Sequence, residues 1–149
     1  MVTVLFRVSV VLGLIGMGLG ISMGIRQDFA LVPAHAHLNL LGFVTLFLSA
    51  LYYRTVPEAG ASLVAKVQAA TAIVGAIIFP IGIGCVVLGG RERFEPIVAT
   101  GAAIVFVGMA LFAVIVFRTT NTMQPANPSA RPQVTRSSVE RENHEQAII

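Results

Sequence analysis

The chain has 149 residues, of which 56% are apolar and only 11% charged, under half the roughly 25% charged share of a typical soluble domain. A soluble protein this small has too little interior to hide so much apolar surface, whereas lipid accepts it, in keeping with a mean hydropathy of +0.84. The net charge of +3 comes from ten Lys and Arg spread thinly; no basic run interleaved with aromatics exists, which excludes nucleic acid as a partner.

Four apolar stretches reach the roughly 20 residues needed to cross a bilayer as helix. They run from Val4 to Ile25, Pro33 to Tyr53, Leu63 to Leu88 and Pro96 to Phe117, joined by the short connections RQDFALV, RTVPEAGAS and GGRERFE. Pro33 and Pro96 suit a first helical turn, where a missing N–H costs little, while Pro80 is expected to kink the third helix. The first apolar run is longer than a signal-peptide core, so it reads as a retained helix despite the Ala34-His35-Ala36 cleavage-like triplet. Its Gly16, Gly20 and Gly24, at four-residue spacing, make a smooth face for close helix packing. The single cysteine, Cys85, lies in an apolar run and has no partner in its own chain. From Thr119 the chain turns polar and Pro-containing, without aromatics. Residues 1–118 therefore read as an all-α bundle of four transmembrane helices, and residues 119–149, with His144, as a flexible polar tail. Arg7, Arg54, Lys66 and Arg118 fall on one side, and Arg26, Arg91 and Arg93 on the other. This bias places both termini in the cytoplasm.

Few ionisable groups enter the membrane segments, so those present carry information. The second helix opens with PAHAHLNLLG. Two residues along an α-helix is a rotation of about 200°, so His35 and His37 point to nearly opposite faces and cannot bind one small metal ion together. Each serves a different site, or one site is built between chains. His35, Asn39, Gly42, Thr45 and Ser49 form a small, polar stripe; His37, Leu41, Val44 and Leu48 form an apolar one. Gly42, two turns below His35, offers room for a flat macrocycle. Two histidines in this pattern point to metal or haem ligation.

The segment HAHLNLLGFVTLFLSALYYRTVPE resembles the second helix of the large subunit of bacterial nitric oxide reductases, within the haem-copper oxidase superfamily. His37-Leu38-Asn39-Leu40, Tyr52-Tyr53 and Val56-Pro57-Glu58 match that helix in order and spacing. The resemblance implies that His37 is an axial ligand of a low-spin haem. The family's tenth helix carries a His-x-His whose two histidines serve two haems, which implies an iron-ligating role for His35 as well. The loop before the family's last helix holds arginines over haem propionates, and Arg91 and Arg93 occupy the corresponding loop. The family fold is twelve helices in three quasi-equivalent units of four, and this chain amounts to one such unit.

The oxidase active site also needs a copper held by three histidines. No third histidine lies in these membrane segments, nor do the glutamates that mark proton delivery. What the resemblance leaves is a b-type cytochrome of the bacterial inner membrane. It would bind haem b by bis-histidine ligation between chains, and pass electrons between a donor and an acceptor that the residues do not name. Two alternatives stay open: a haem protein that binds or reduces O2 or NO at an open axial site, and a non-catalytic Zn- or Cu-binding subunit of a respiratory complex. Cyclic symmetry would supply the missing ligand. A homotrimer would rebuild the twelve-helix core; a dimer would pair His37 with its symmetry mate.

Overall fold

A computed structural model describes residues 1–122; the tail beyond, with His144, lies outside them. Among the described residues the chain is all-helical: α1 (Val2–Arg26), α2 (Val32–Thr55), a short α3 (Pro57–Ala61), α4 (Leu63–Gly89) and α5 (Arg91–Thr122). All but α3 are long and apolar enough to cross a membrane. Less than a third of each such span is buried within the chain, so much of the apolar surface faces outward, as a multi-pass membrane protein requires.

The turns explain how short connections suffice. Helix α1 ends on Gln27 in the left-handed region (φ 54°), whose side-chain amide donates to the Gly24 carbonyl at 2.6 Å. One residue, Gly90, separates α4 from α5, with a φ of +96° that L side chains rarely adopt. Ser62 caps α4 by accepting from the Ala65 N–H at 3.1 Å. The last helix differs from the sequence expectation. It begins at Arg91 rather than Pro96 and continues through Arg118 to Thr122. The i,i+4 pair Arg91–Glu95 supports the added first turn. Pro96 then lies inside the helix, where it forgoes the bond to the Glu92 carbonyl and crowds that carbonyl with its ring.

Helices α4 and α5 are zipped by small residues on both sides. A Cβ on Gly75 would lie 2.9 Å from Val105, and one on Gly82 3.1 Å from the Val98 nitrogen. In return, a Cβ on Gly101 would sit 2.7 Å from the Phe79 Cα. Lipid gives apolar helices no hydrophobic reason to associate, so close backbone approach and dispersion must hold them. Leu5, Leu46, Ala50, Tyr53, Ala65 and Ile115 form the core at the end of the bundle nearer the N-terminus.

Helix α2 is continuous but not α-helical throughout: Leu38–Thr45 is a π-helical stretch. Its wider turn lets the Thr45 hydroxyl reach back five residues to the Leu40 carbonyl at 2.9 Å. This wider turn, bonded i to i+5, corrects the stripes read from sequence. Asn39 and Gly42 stay with His35 against α1, but Thr45 and Ser49 swing to Leu41's side and face α4 and α5.

Backbone contact at Gly101 sets the expected cost of filling it. Gly101→Ala should destabilise the bundle by about 1–3 kcal/mol, as overpacking does. Gly108→Ala, whose Cβ would meet Ala72 at an ordinary 3.4 Å, should be neutral or stabilising by up to about 1 kcal/mol, the helix-propensity gain of Ala over Gly. Thermal unfolding in detergent ranks the two, and equal losses would contradict this packing.

Candidate functional site

The first turns of α2 carry both histidines, and the i,i+2 rotation is realised. His35 turns to α1, and His37 turns to α4. The His35 ring rests on Gly20, where a Cβ would come within 2.8 Å of its Cε1. Its Nδ1 lies 2.9 Å from the Gly16 carbonyl oxygen. A carbonyl cannot donate, so Nδ1 carries the proton and donates it. Glycine at position 20 also matters for that acceptor, because a side chain one turn on would shade the Gly16 oxygen.

Asn39 completes the contact. Its Nδ2 donates to the His35 carbonyl at 3.0 Å, and its Oδ1 lies where a Cβ on Gly16 would be, 2.5 Å away. The same Nδ2 is 3.2 Å from His35 Nδ1. With Nδ1 already protonated toward Gly16, the carbonyl bond is the one the amide makes. The glycine face of α1 is thus used, but by side chains: Gly16 and Gly20 seat Asn39 and His35, while a Cβ on Gly24 would touch nothing.

His37 donates from Nδ1 to the Pro33 carbonyl at 2.7 Å, one turn back on its own helix. Pro33 sits in the first turn. Its carbonyl would ordinarily accept from the N–H at position 37, and it takes the ring N–H of the same residue as well. The imidazole meets the Phe79 ring edge to face at 4.9 Å. Neither histidine's Nε2 has a hydrogen-bond partner among the described residues. No fully sealed side-chain nitrogen or oxygen among them lacks a partner, so neither Nε2 is completely closed off. In the neutral ring, the tautomer that the Nδ1 bond fixes leaves the lone pair on Nε2.

The remaining candidates lie close by without touching the rings. Gly42 is buried, and the room over it is taken by Leu12, whose Cβ is 3.0 Å from where a Gly42 Cβ would stand. Arg91 pairs with Glu95 at 3.4 Å, and the Arg93 guanidinium lies over its neighbour Phe94, 5.6 Å from the ring centre. Phe94 shares an apolar groove with Leu31, Ala34 and Cys85, which brings the arginine turn to the histidine end of the bundle. No three His, Cys, Asp or Glu side chains converge among the described residues.

Sequence reasoning missed a second polar centre. Tyr53 donates to Gln68 Oε1 at 2.8 Å, with both residues only 2% exposed, and Tyr52 bonds the Thr119 hydroxyl. Gln68, a polar residue one turn and a half inside an apolar span, was the available signal. In comparisons with family models, characterised proteins and solved structures, nothing matches this chain.

The ring bonds fix what nitrogen NMR should read. In protein labelled with 15N-histidine, His35 and His37, when neutral, should both show the Nδ1–H tautomer. An Nε2–H signal from either, assigned by its Ala variant, would overturn the carbonyl bonds described above.

Proposed function

We propose that the chain is a small membrane cytochrome of b type, which binds haem between subunits and transfers electrons. One observation carries this reading: two imidazoles on opposite faces of one helix each spend Nδ1 on a backbone carbonyl and leave Nε2 without a hydrogen-bond partner among the described residues. Neutral imidazole nitrogens suit haem iron, and a carbonyl on the far nitrogen fixes ring orientation and raises ligand basicity. The donor set therefore fits the group. Haem, when bound, supplies one-electron redox chemistry; the chain supplies axial ligands, burial and charge.

The two Nε2 atoms diverge, so one chain cannot offer both to one iron. A ring of copies can: His35 of one chain and His37 of the next would share each haem, one haem per chain. Three copies would give twelve helices, as in the oxidase-like core that the sequence resembles. Asn39 holds the His35 turn, and Gly42 lets α1 close beneath it. Arg91 and Arg93 would hold the propionates, and their positive charge would favour the reduced haem less than a buried cation but in the same direction. The π-helical stretch beginning beside His37 adds support, since such segments concentrate at functional sites. This reading sets the protein in a bacterial inner membrane, with both termini cytoplasmic and the histidines near the opposite face.

A second arrangement has its own observation. His35 is already seated on Gly20 and bonded to Gly16, which suits a structural histidine. In that case a twofold dimer pairs His37 with its mate, and His35 touches no iron.

An optical spectrum of the detergent-extracted protein tests the function. Bis-histidine haem should give a sharp low-spin reduced spectrum that carbon monoxide hardly changes. A protein without haem that carries stoichiometric Zn or Cu would sink the cytochrome reading, and a strong carbon monoxide response in the parent would select the gas-binding one. In the ring, His35→Ala and His37→Ala should both lose most haem and leave the rest high-spin, while Arg91→Ala stays six-coordinate at a lower potential. A full complement of low-spin haem in His35→Ala selects the dimer.

A further inference from the structure

Helices α2, α4 and α5 enclose a small cavity away from the histidines, bordered on its polar side by Thr45, Ser49 and Gln68. Its other walls are apolar, among them Leu41, Ala76 and Phe112. It leaves about 30 Å³ for the centre of a water molecule, and one water needs roughly 10–15 Å³ by that measure. The polar groups there have unequal needs. Gln68 is 2% exposed and uses Oε1 to accept from Tyr53. Its Nε2 has no hydrogen-bond partner among the described residues, yet it is not sealed off from a water-sized molecule. The space that Gln68 borders is this cavity.

The hydroxyls have the opposite need. Ser49 has spent its proton on the Thr45 carbonyl and Thr45 has spent its own on the Leu40 carbonyl, each at 2.9 Å. Both can now only accept. The cavity thus offers one amide NH2 group as donor and two hydroxyl acceptors. A molecule that accepts one hydrogen bond and donates two satisfies all three, and in this volume that molecule is water. We infer that the cavity between α2, α4 and α5 is a binding site for an internal water, held by Gln68 Nε2, Ser49 Oγ and Thr45 Oγ1. Lipid offers the amide no other partner, since an apolar solvent cannot accept its proton. The water extends the Tyr53–Gln68 pair into a continuous polar file inside an otherwise apolar bundle. The π-helical stretch makes the site, because it turns Thr45 and Ser49 toward Gln68. This inference is independent of haem.

Water-edited solid-state NMR on the full chain in phosphatidylcholine bilayers tests it, using 15N-glutamine labelling and Gln68→Met to assign the signal. Gln68 Nε2 should receive polarisation from water rapidly. The double variant Ser49→Ala, Thr45→Val should slow that transfer several-fold, and Ser49→Ala alone should slow it by less. A Gln68 amide that receives no more polarisation than the lipid-facing side chains would overturn the site. So would a transfer rate unchanged in the double variant whose Tyr53 and Gln68 shifts show it folded.

Discussion

The hydrogen bond from His35 to the Gly16 carbonyl is the contact from which the polar end of the bundle is organised. It exists because two glycines meet one imidazole: Gly20 gives the ring its seat and uncovers the oxygen, and Gly16 makes room for Asn39. Polar contacts between helices in lipid are worth about 0.6 kcal/mol on average. This one matters more for what it orders than for its strength. It fixes which nitrogen of His35 is protonated, the rotation of α2 against α1, and with that rotation the direction of His37 toward α4.

The rest of the fold divides its labour along the chain. Helices α4 and α5 meet through glycines that bring backbones together, so their union is dispersion and close fit. Helices α1 and α2 meet partly through polar side chains set into glycine notches. At the far end, Tyr53 with Gln68 and Tyr52 with Thr119 tie α2 to α4 and to α5. Among the described residues, no side-chain nitrogen or oxygen that is fully sealed off lacks a hydrogen bond, as an apolar solvent demands.

Four spans were legible because hydropathy over a long window needs no tertiary information; their ends fell within two residues except in α5, which ends five residues past Phe117 and starts five before Pro96. That error had a local cause: Arg91 and Glu95 pair only once the helix already exists. The opposed histidines were legible because a rotation per residue follows from helix geometry alone. The π-helical stretch was not, because LNLLGFVT has no residue that demands it; the stretch packs on α1 with Leu12 over Gly42 and Phe43 against Gly13, contacts that only the folded chain makes. Gly16 and Gly20 announced a close contact but could not say with what. Gln68 and Tyr53 become partners through the pairing of α2 with α4, fifteen residues apart in sequence, and neither residue type specifies the other.

The single-residue turn at Gly90 makes α4 and α5 a hairpin, and α1 with α2 is another. The two hairpins are unequal in what they complete alone. His35 finds both its acceptor and its seat on α1, within the first 39 residues along with Asn39. A chain emerging from the ribosome can therefore settle His35 before α4 has been synthesised. His37 must wait for Phe79. On that order of synthesis the two imidazoles would acquire their surroundings at different times, and the second hairpin would dock onto a first half whose ring orientation at His35 is already decided.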